Sequence, residues 1–138
     1  MKTIFAAYRV SDPERSLQFY TSLGYRKVGA VEFDDGTRLL MLRFPEEPAT
    51  TLELVYRPGA ELGGGLDHLA VEVDSLADTL STLAERGLAP GPIELPGGPD
   101  GPKTAELIDP DGYRIELVEW PPGQTPGITD ADFQQSPT

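Results

Sequence analysis

Cysteine is absent from the 138-residue chain, which removes disulfides, zinc–thiolate sites and cysteine nucleophiles together and fits a reducing compartment. Histidine is almost absent too. His68 is the one imidazole, so chemistry that needs two histidines is not available. No apolar run reaches membrane-spanning length, and the first stretch, MKTIFAAYRV, meets Arg9 and then Ser11-Asp12-Pro13 too soon for a signal peptide. A cytoplasmic location is expected. Basic residues are scarce: 11 Lys+Arg stand against 23 Asp+Glu, a net charge of −12. Such a chain repels phosphate backbones and anionic lipid, so neither nucleic acid nor membrane is expected as a partner, and a cationic one is favoured.

The length suits one domain, and 38% hydrophobic residues suffice for a core. Glycine and proline are abundant but clustered. Ten fall in residues 87–102, a stiff turn-rich loop, and six in 121–138, a carboxy-terminal tail with little core-forming capacity. Elsewhere the pattern is periodic. Residues 3–10 alternate as a strand. Ser11 and Glu14 have capping-box spacing around Pro13, which starts a helix that carries Leu17, Tyr20 and Leu23 and stops at Gly24. Strands are expected over 25–33, 37–44 and 51–57, with Asp34-Asp35-Gly36 turning between the first two. A strand at 67–73 follows, then a helix capped by Asp74 or Ser75, carrying Leu76, Leu80 and Leu83 and stopping at Gly87. Strands near 103–108 and 113–120 flank Asp109-Pro110-Asp111-Gly112, where proline presets φ and glycine permits the positive φ of a turn.

The second series repeats the first at an offset of 63 residues. Val10 falls on Val73, Leu17 on Leu80, Gly24 on Gly87, Glu53 on Glu116, Leu54 on Leu117, and Phe5 on His68. The expected architecture is α+β: two βαβββ modules, about 1–60 and 66–120, in one domain spanning 1–120. Strand alternation then sorts the side chains. Ile4, Ala6, Tyr8 and Val10, with Leu69, Val71 and Val73, form faces packed against helices on the outer side. The opposite faces collect Phe5, Arg9, Glu53, Arg57, His68, Glu72, Glu116 and Trp120. A convex arrangement makes these a solvated surface. If the mixed sheets curl into a cup, Glu53, His68 and Glu116 converge, a donor set suited to divalent Zn, Ni, Co, Fe or Mn with water in the open positions.

Several segments resemble one family. These are RVSD at 9–12, SLQFY at 16–20, LGY at 23–25, TLELVY at 51–56, DHLAVEVD at 67–74 and IDPDGYRIELVEW at 108–120. They are similar to the vicinal-oxygen-chelate superfamily, which includes glyoxalase I, bleomycin-resistance proteins and dioxygenases, and most like glyoxalase I. The resemblance covers about residues 3–120. It implies two βαβββ modules paired around a metal, often at a homodimer interface. It assigns Glu53, His68 and Glu116 to metal-ligand positions and puts Phe5, which cannot ligate, at the fourth. It also places Arg9 on the anionic part of a glutathione substrate, and Arg57 where the family has asparagine.

Two readings follow. With one histidine, the two-histidine members (extradiol dioxygenases, fosfomycin-modifying enzymes, methylmalonyl-CoA epimerases) are excluded. A glyoxalase-I-like lyase or isomerase acting on a 2-oxoaldehyde–thiol adduct remains, with Glu116 as base, Glu53 as its counterpart, and Arg9, Phe5, Arg57 and Trp120 contacting the substrate. The alternative is a non-catalytic small-molecule binder of the same superfamily, sequestering a cationic or aromatic antibiotic without a metal.

Overall fold

The computed structural model describes residues 4–63, 66 and 68–124; Asp67 of the expected 67–73 strand and residues 125–138 of the tail lie outside them. Two sheets form. The first contains β1 (Ala6–Arg9), β2 (Arg26–Glu32), β3 (Arg38–Arg43) and β4 (Leu52–Tyr56) in the order β1-β4-β3-β2. The second contains β5 (His68–Glu72), β6 (Lys103–Ile108) and β7 (Arg114–Glu119) in the order β5-β7-β6. Helix α1 (Pro13–Leu23) packs on β3 and β4, and α2 (Leu76–Glu85) on β6 and β7. Each sheet thus has one helix-covered face.

The repeat holds at the level of hydrogen-bond register. Ala6, Ala7 and Tyr8 pair in parallel with Leu52, Glu53 and Leu54. Sixty-three residues on, Leu69, Ala70 and Val71 pair in parallel with Ile115, Glu116 and Leu117. The βαβββ order is complete in the first module. In the second, the segment matching β2 is reduced to a single bridge between Glu94 and Thr104. Pro90 and Pro92 lie in that segment, and each lacks the N–H a ladder requires.

The covered faces carry the core. Leu40, Leu42, Leu52, Leu54 and Tyr20 from the first module join Leu76, Leu83, Leu107, Ile115 and Leu117 from the second in one buried cluster. Burying each such leucine contributes about 1.5–3 kcal/mol. Two expectations about local structure are corrected. The first is the cap of α1. Its N-cap is Asp12, whose carboxylate accepts from the Arg15 backbone N–H at 3.1 Å. Ser11 and Glu14 are drawn elsewhere: Ser11 donates to Asp111, and Glu14 pairs with Arg38. The second concerns β1. Tyr8 and Val10 are buried, but Ile4 and Ala6 are exposed, because β1 is an edge strand and α1 packs chiefly on the inner strands β3 and β4. Two other caps follow expectation, while α2 has Arg86 as its C-cap with Gly87 just beyond it at φ 84°. Gly24 ends α1 at φ 130° while donating to the Thr21 and Tyr20 carbonyls, and Ser75 caps α2.

Candidate functional site

In each module a parallel strand pair sets a carboxylate beside an alanine. Glu53 lies opposite Ala7, and Glu116 opposite Ala70. Both glutamates are half-buried, and the small neighbour leaves the space above the sheet to the carboxylate. The valine two positions further on each strand, Val55 and Val118, is 8% exposed in both modules. Antiparallel pairing extends the first face through Met41 opposite Glu53 and Leu39 opposite Val55, then Val31 opposite Leu39. It extends the second through Glu106 opposite Glu116 and Ile108 opposite Arg114. Residues two apart on a strand share a face. Phe5 and Arg9 therefore accompany Glu53, while His68 and Glu72 accompany Glu116.

These faces are open. Phe5 is 41% exposed, Val31 40% and Ile108 56%; Arg9, Arg57, His68 and Glu72 are exposed, and Trp120 is half-buried. His68 and Glu116 stand on adjacent strands of the second sheet, and Glu53 stands on the first. Among the described residues, no three His, Cys, Asp or Glu side chains lie close enough to hold one metal ion. The donor chemistry suits a divalent ion, but one chain does not bring the three expected ligands together. A cleft of about 950 Å³ opens elsewhere, between Tyr25 and Phe44 on one side and β5 with the start of α2 on the other. Of the expected site residues, only Glu72 lines it.

The two modules are fastened by a polar chain, buried at Tyr8, Tyr20 and Asp109 and exposed at its ends, that the repeat gives no hint of. The Tyr20 hydroxyl donates to Asp109 Oδ2 at 2.8 Å and accepts from the Tyr8 hydroxyl. Asp109 Oδ1 accepts from the backbone N–H groups of Asp111 and Tyr113, both at 2.8 Å. Asp111 accepts from the backbone N–H and hydroxyl of Ser11, and Tyr113 donates from its hydroxyl to the Arg9 carbonyl at 2.9 Å. The hairpin turn that precedes the Glu116 strand thus grips both ends of the segment joining β1 to α1. Burial pushes the Asp109 carboxyl above its usual range, against the backbone N–H of Tyr113 and the Tyr20 hydroxyl, which favour its ionised form. Burial also pushes the Tyr8 and Tyr20 hydroxyls upward, so both stay protonated and available as donors. No buried side-chain polar atom among the described residues lacks a partner. Sequence reading identified this turn by its proline and glycine and as part of a family motif, but not its fastening role, since the carboxylates' partners lie about ninety to a hundred residues away.

Comparison with known proteins agrees with this fold. The profile of the Glyoxalase/Bleomycin resistance protein/Dioxygenase superfamily matches residues 4–117. The chain belongs to that superfamily. It is 33% identical over 128 residues to a lactoylglutathione lyase of Salmonella typhimurium, covering 86% of this chain and 93% of the relative. It is 31% identical over 137 residues to a probable chloroplastic lactoylglutathione lyase of Arabidopsis thaliana, covering 91% of this chain but 37% of that longer protein. Among solved structures, a trypanothione-dependent glyoxalase I of Leishmania major superposes with a TM-score of 0.66 at 28% identity, covering 86% of each chain. The fold is therefore that of the superfamily, and the named relatives at about 30% identity are glyoxalase I enzymes.

Proposed function

We propose that this protein is a glyoxalase-I-like lyase that isomerises a 2-oxoaldehyde–thiol adduct and works as a homodimer. The observation that carries the reading is the repeated placement of Glu53 against Ala7 and Glu116 against Ala70, on two sheet faces that each stand open in a single chain. A second copy, applying its first sheet to the second sheet of its partner, would bring Glu53 from one chain opposite His68 and Glu116 of the other. A closed pair of such interfaces satisfies both open faces of both chains. The exposed Phe5, Val31 and Ile108 would be covered by the same contact.

In that assembly Glu53, His68 and Glu116 would hold a divalent ion, with Phe5 leaving the fourth position to water. When bound, the ion supplies Lewis acidity to the oxygens of the substrate. The carboxylates perform the proton transfer. Glu116 would take the proton from the hydroxyl-bearing carbon of the adduct while the hydroxyl proton passes to the neighbouring carbonyl oxygen, and Glu53, on the opposite face and protonated beforehand, would give a proton to the former carbonyl carbon; the proton left on Glu116 returns to Glu53 before the next turnover. The product is a thioester of a 2-hydroxy acid, with no net gain or loss of electrons. Covering the faces excludes water, which strengthens each charge–charge interaction in the site.

Metal analysis of protein purified without chelator, with turnover of methylglyoxal and glutathione, tests the reading. Phe5→His is expected to raise metal retention by completing a four-ligand set, as read by elemental analysis. Failure of both wild type and Phe5→His to retain Zn, Ni, Co or Mn overturns the metal-dependent reading. Phe5 at a ligand position also supports the sequestering alternative, for which calorimetric binding of cationic antibiotics without turnover is the corresponding result.

A further inference from the structure

Sulfur is nearly as scarce in this chain as imidazole. There is no cysteine, and Met41 is the one methionine beyond the first residue. Its place in the fold is specific. Met41 lies within β3, with Glu53 of β4 directly opposite on one side and Gly29 of β2 directly opposite on the other. Directly opposed residues share a face and set their Cβ atoms about 4.5–5.5 Å apart, so the thioether stands beside the carboxylate on the open face of the first sheet. On the β2 side Gly29 brings no side chain, and no heavy atom lies within 4 Å of the point where one would begin. Met41 is accordingly half-buried rather than enclosed.

Both neighbours bear on the reactivity of the sulfur. The space over Gly29 admits a small oxidant. A hydroperoxide transfers one oxygen atom to a thioether: the O–O bond breaks, an S–O bond forms, sulfur is oxidised by two electrons, and the peroxide leaves as water or an alcohol. Positive charge develops on sulfur as the oxygen arrives, and a carboxylate on the cross-strand neighbour stabilises it. The product fits its surroundings poorly. A sulfoxide oxygen only accepts hydrogen bonds, and so does a carboxylate. Leu39, Val55 and Val31 extend the same face and donate nothing from their side chains. The next side chain on that face of β3, Arg43, already turns its guanidinium to the carbonyls of Pro45 and Glu47, at 3.1 and 2.6 Å.

We propose that Met41 is an oxidation site through which hydroperoxides hold two copies of this chain apart. This rests on the dimer reading above, in which a second copy covers the Glu53 face. Covering an oxidised Met41 strips the sulfoxide of water and offers it no donor, a cost that weakens association by about tenfold or more. The separate chain presents the thioether and the associated pair covers it, so oxidation and association compete for one face. Methionine sulfoxide reductases restore the thioether, which makes the change reversible.

Dilute hydrogen peroxide, followed by peptide mass spectrometry and sedimentation, tests this. In a dilute sample of folded protein, the Met41 peptide is expected to gain one oxygen no more slowly than in urea. Glu53→Gln should slow that gain in the folded state only. The oxidised protein should associate at least about tenfold more weakly than untreated protein, and methionine sulfoxide reductase should restore the association. Met41→Leu, which keeps the volume and lacks sulfur, should associate like wild type and ignore peroxide. Slower oxidation of Met41 in the folded chain than in urea, or an equal loss of association in peroxide-treated Met41→Leu, overturns the proposal. A dimer that survives complete oxidation sinks this proposal alone, whereas untreated protein that stays monomeric at every concentration sinks the dimer reading and this with it.

Discussion

Tyr20→Phe removes one oxygen atom from the buried chain that fastens the modules, and its cost can be worked out from the partners. Tyr20 is fully buried. Its hydroxyl donates to the Asp109 carboxylate at 2.8 Å and accepts from Tyr8. A hydrogen bond to a charged group contributes about 1.5–3 kcal/mol, and an orphaned buried hydroxyl costs about 1 kcal/mol or more. Asp109 keeps its two backbone donors, which limits the loss. The expected destabilisation is about 3 kcal/mol, or roughly 10 °C in Tm for a domain of this size. The pH dependence carries a second signature. The Asp109 carboxyl already titrates above its usual range, with burial the largest cause. A raised folded-state pKa contributes stability that is present in acid and is lost as pH rises through that value. Removing the Tyr20 donor raises it further. The penalty of Tyr20→Phe should therefore be largest at neutral pH and shrink as pH falls through the carboxyl's folded range. Urea titrations of both proteins across pH 4–8 measure this. A loss below about 1 kcal/mol at neutral pH, or one that is the same at every pH, refutes the coupling between Tyr20 and Asp109.

Two further outcomes test the repeat and the capping of α2. Leu54 and Leu117 are both fully buried at matching positions, so Leu54→Ala and Leu117→Ala should each cost about 2–5 kcal/mol, as measured by chemical denaturation; a surface-like cost for either contradicts a shared core. Glu119 accepts from the Leu76 backbone N–H at 2.8 Å, which holds its carboxyl below the usual range with help from Lys103. A lowered folded-state pKa gives stability present above the unfolded value and lost as pH falls through the folded one. Glu119→Gln should thus be less stable than wild type at neutral pH and indistinguishable from it in acid, read from paired thermal melts.

The sequence made the local architecture legible because its signals are local. Alternation, Gly24, Ser75 and the Asp109–Gly112 turn each act within a few residues, and the 63-residue offset found in the sequence recurs in the strand register. Where reading failed, a distant partner had intervened. Ser11 and Glu14 have the spacing of a capping box, yet Asp111 and Arg38 claim them from far along the chain and Asp12 takes the cap. The candidate site was legible as residues on faces, since alternation alone places Glu53, His68 and Glu116. The two modules also separate Glu53 from His68 and Glu116, but how one sheet lies against the other was not legible, because periodicity orders side chains about a strand and says nothing of sheet packing.

That distinction bears on how the two halves divide their work. The repeat keeps what the backbone needs: an alanine beside each glutamate, a valine two places on, and buried leucines beneath. It changes what a ligand would meet, with Phe5 against His68, Arg9 against Glu72, and Arg57 against Trp120. Symmetric packing and asymmetric chemistry are compatible because alternate residues on a strand face opposite sides. Substitutions on the open face leave the helix-covered face untouched, so a module can lose a metal ligand or gain a charge without losing its core. The same freedom explains how a chain with one histidine keeps the architecture of a superfamily whose chemistry often uses two. It also means that stability measurements report chiefly on the covered faces, and binding measurements on the open ones.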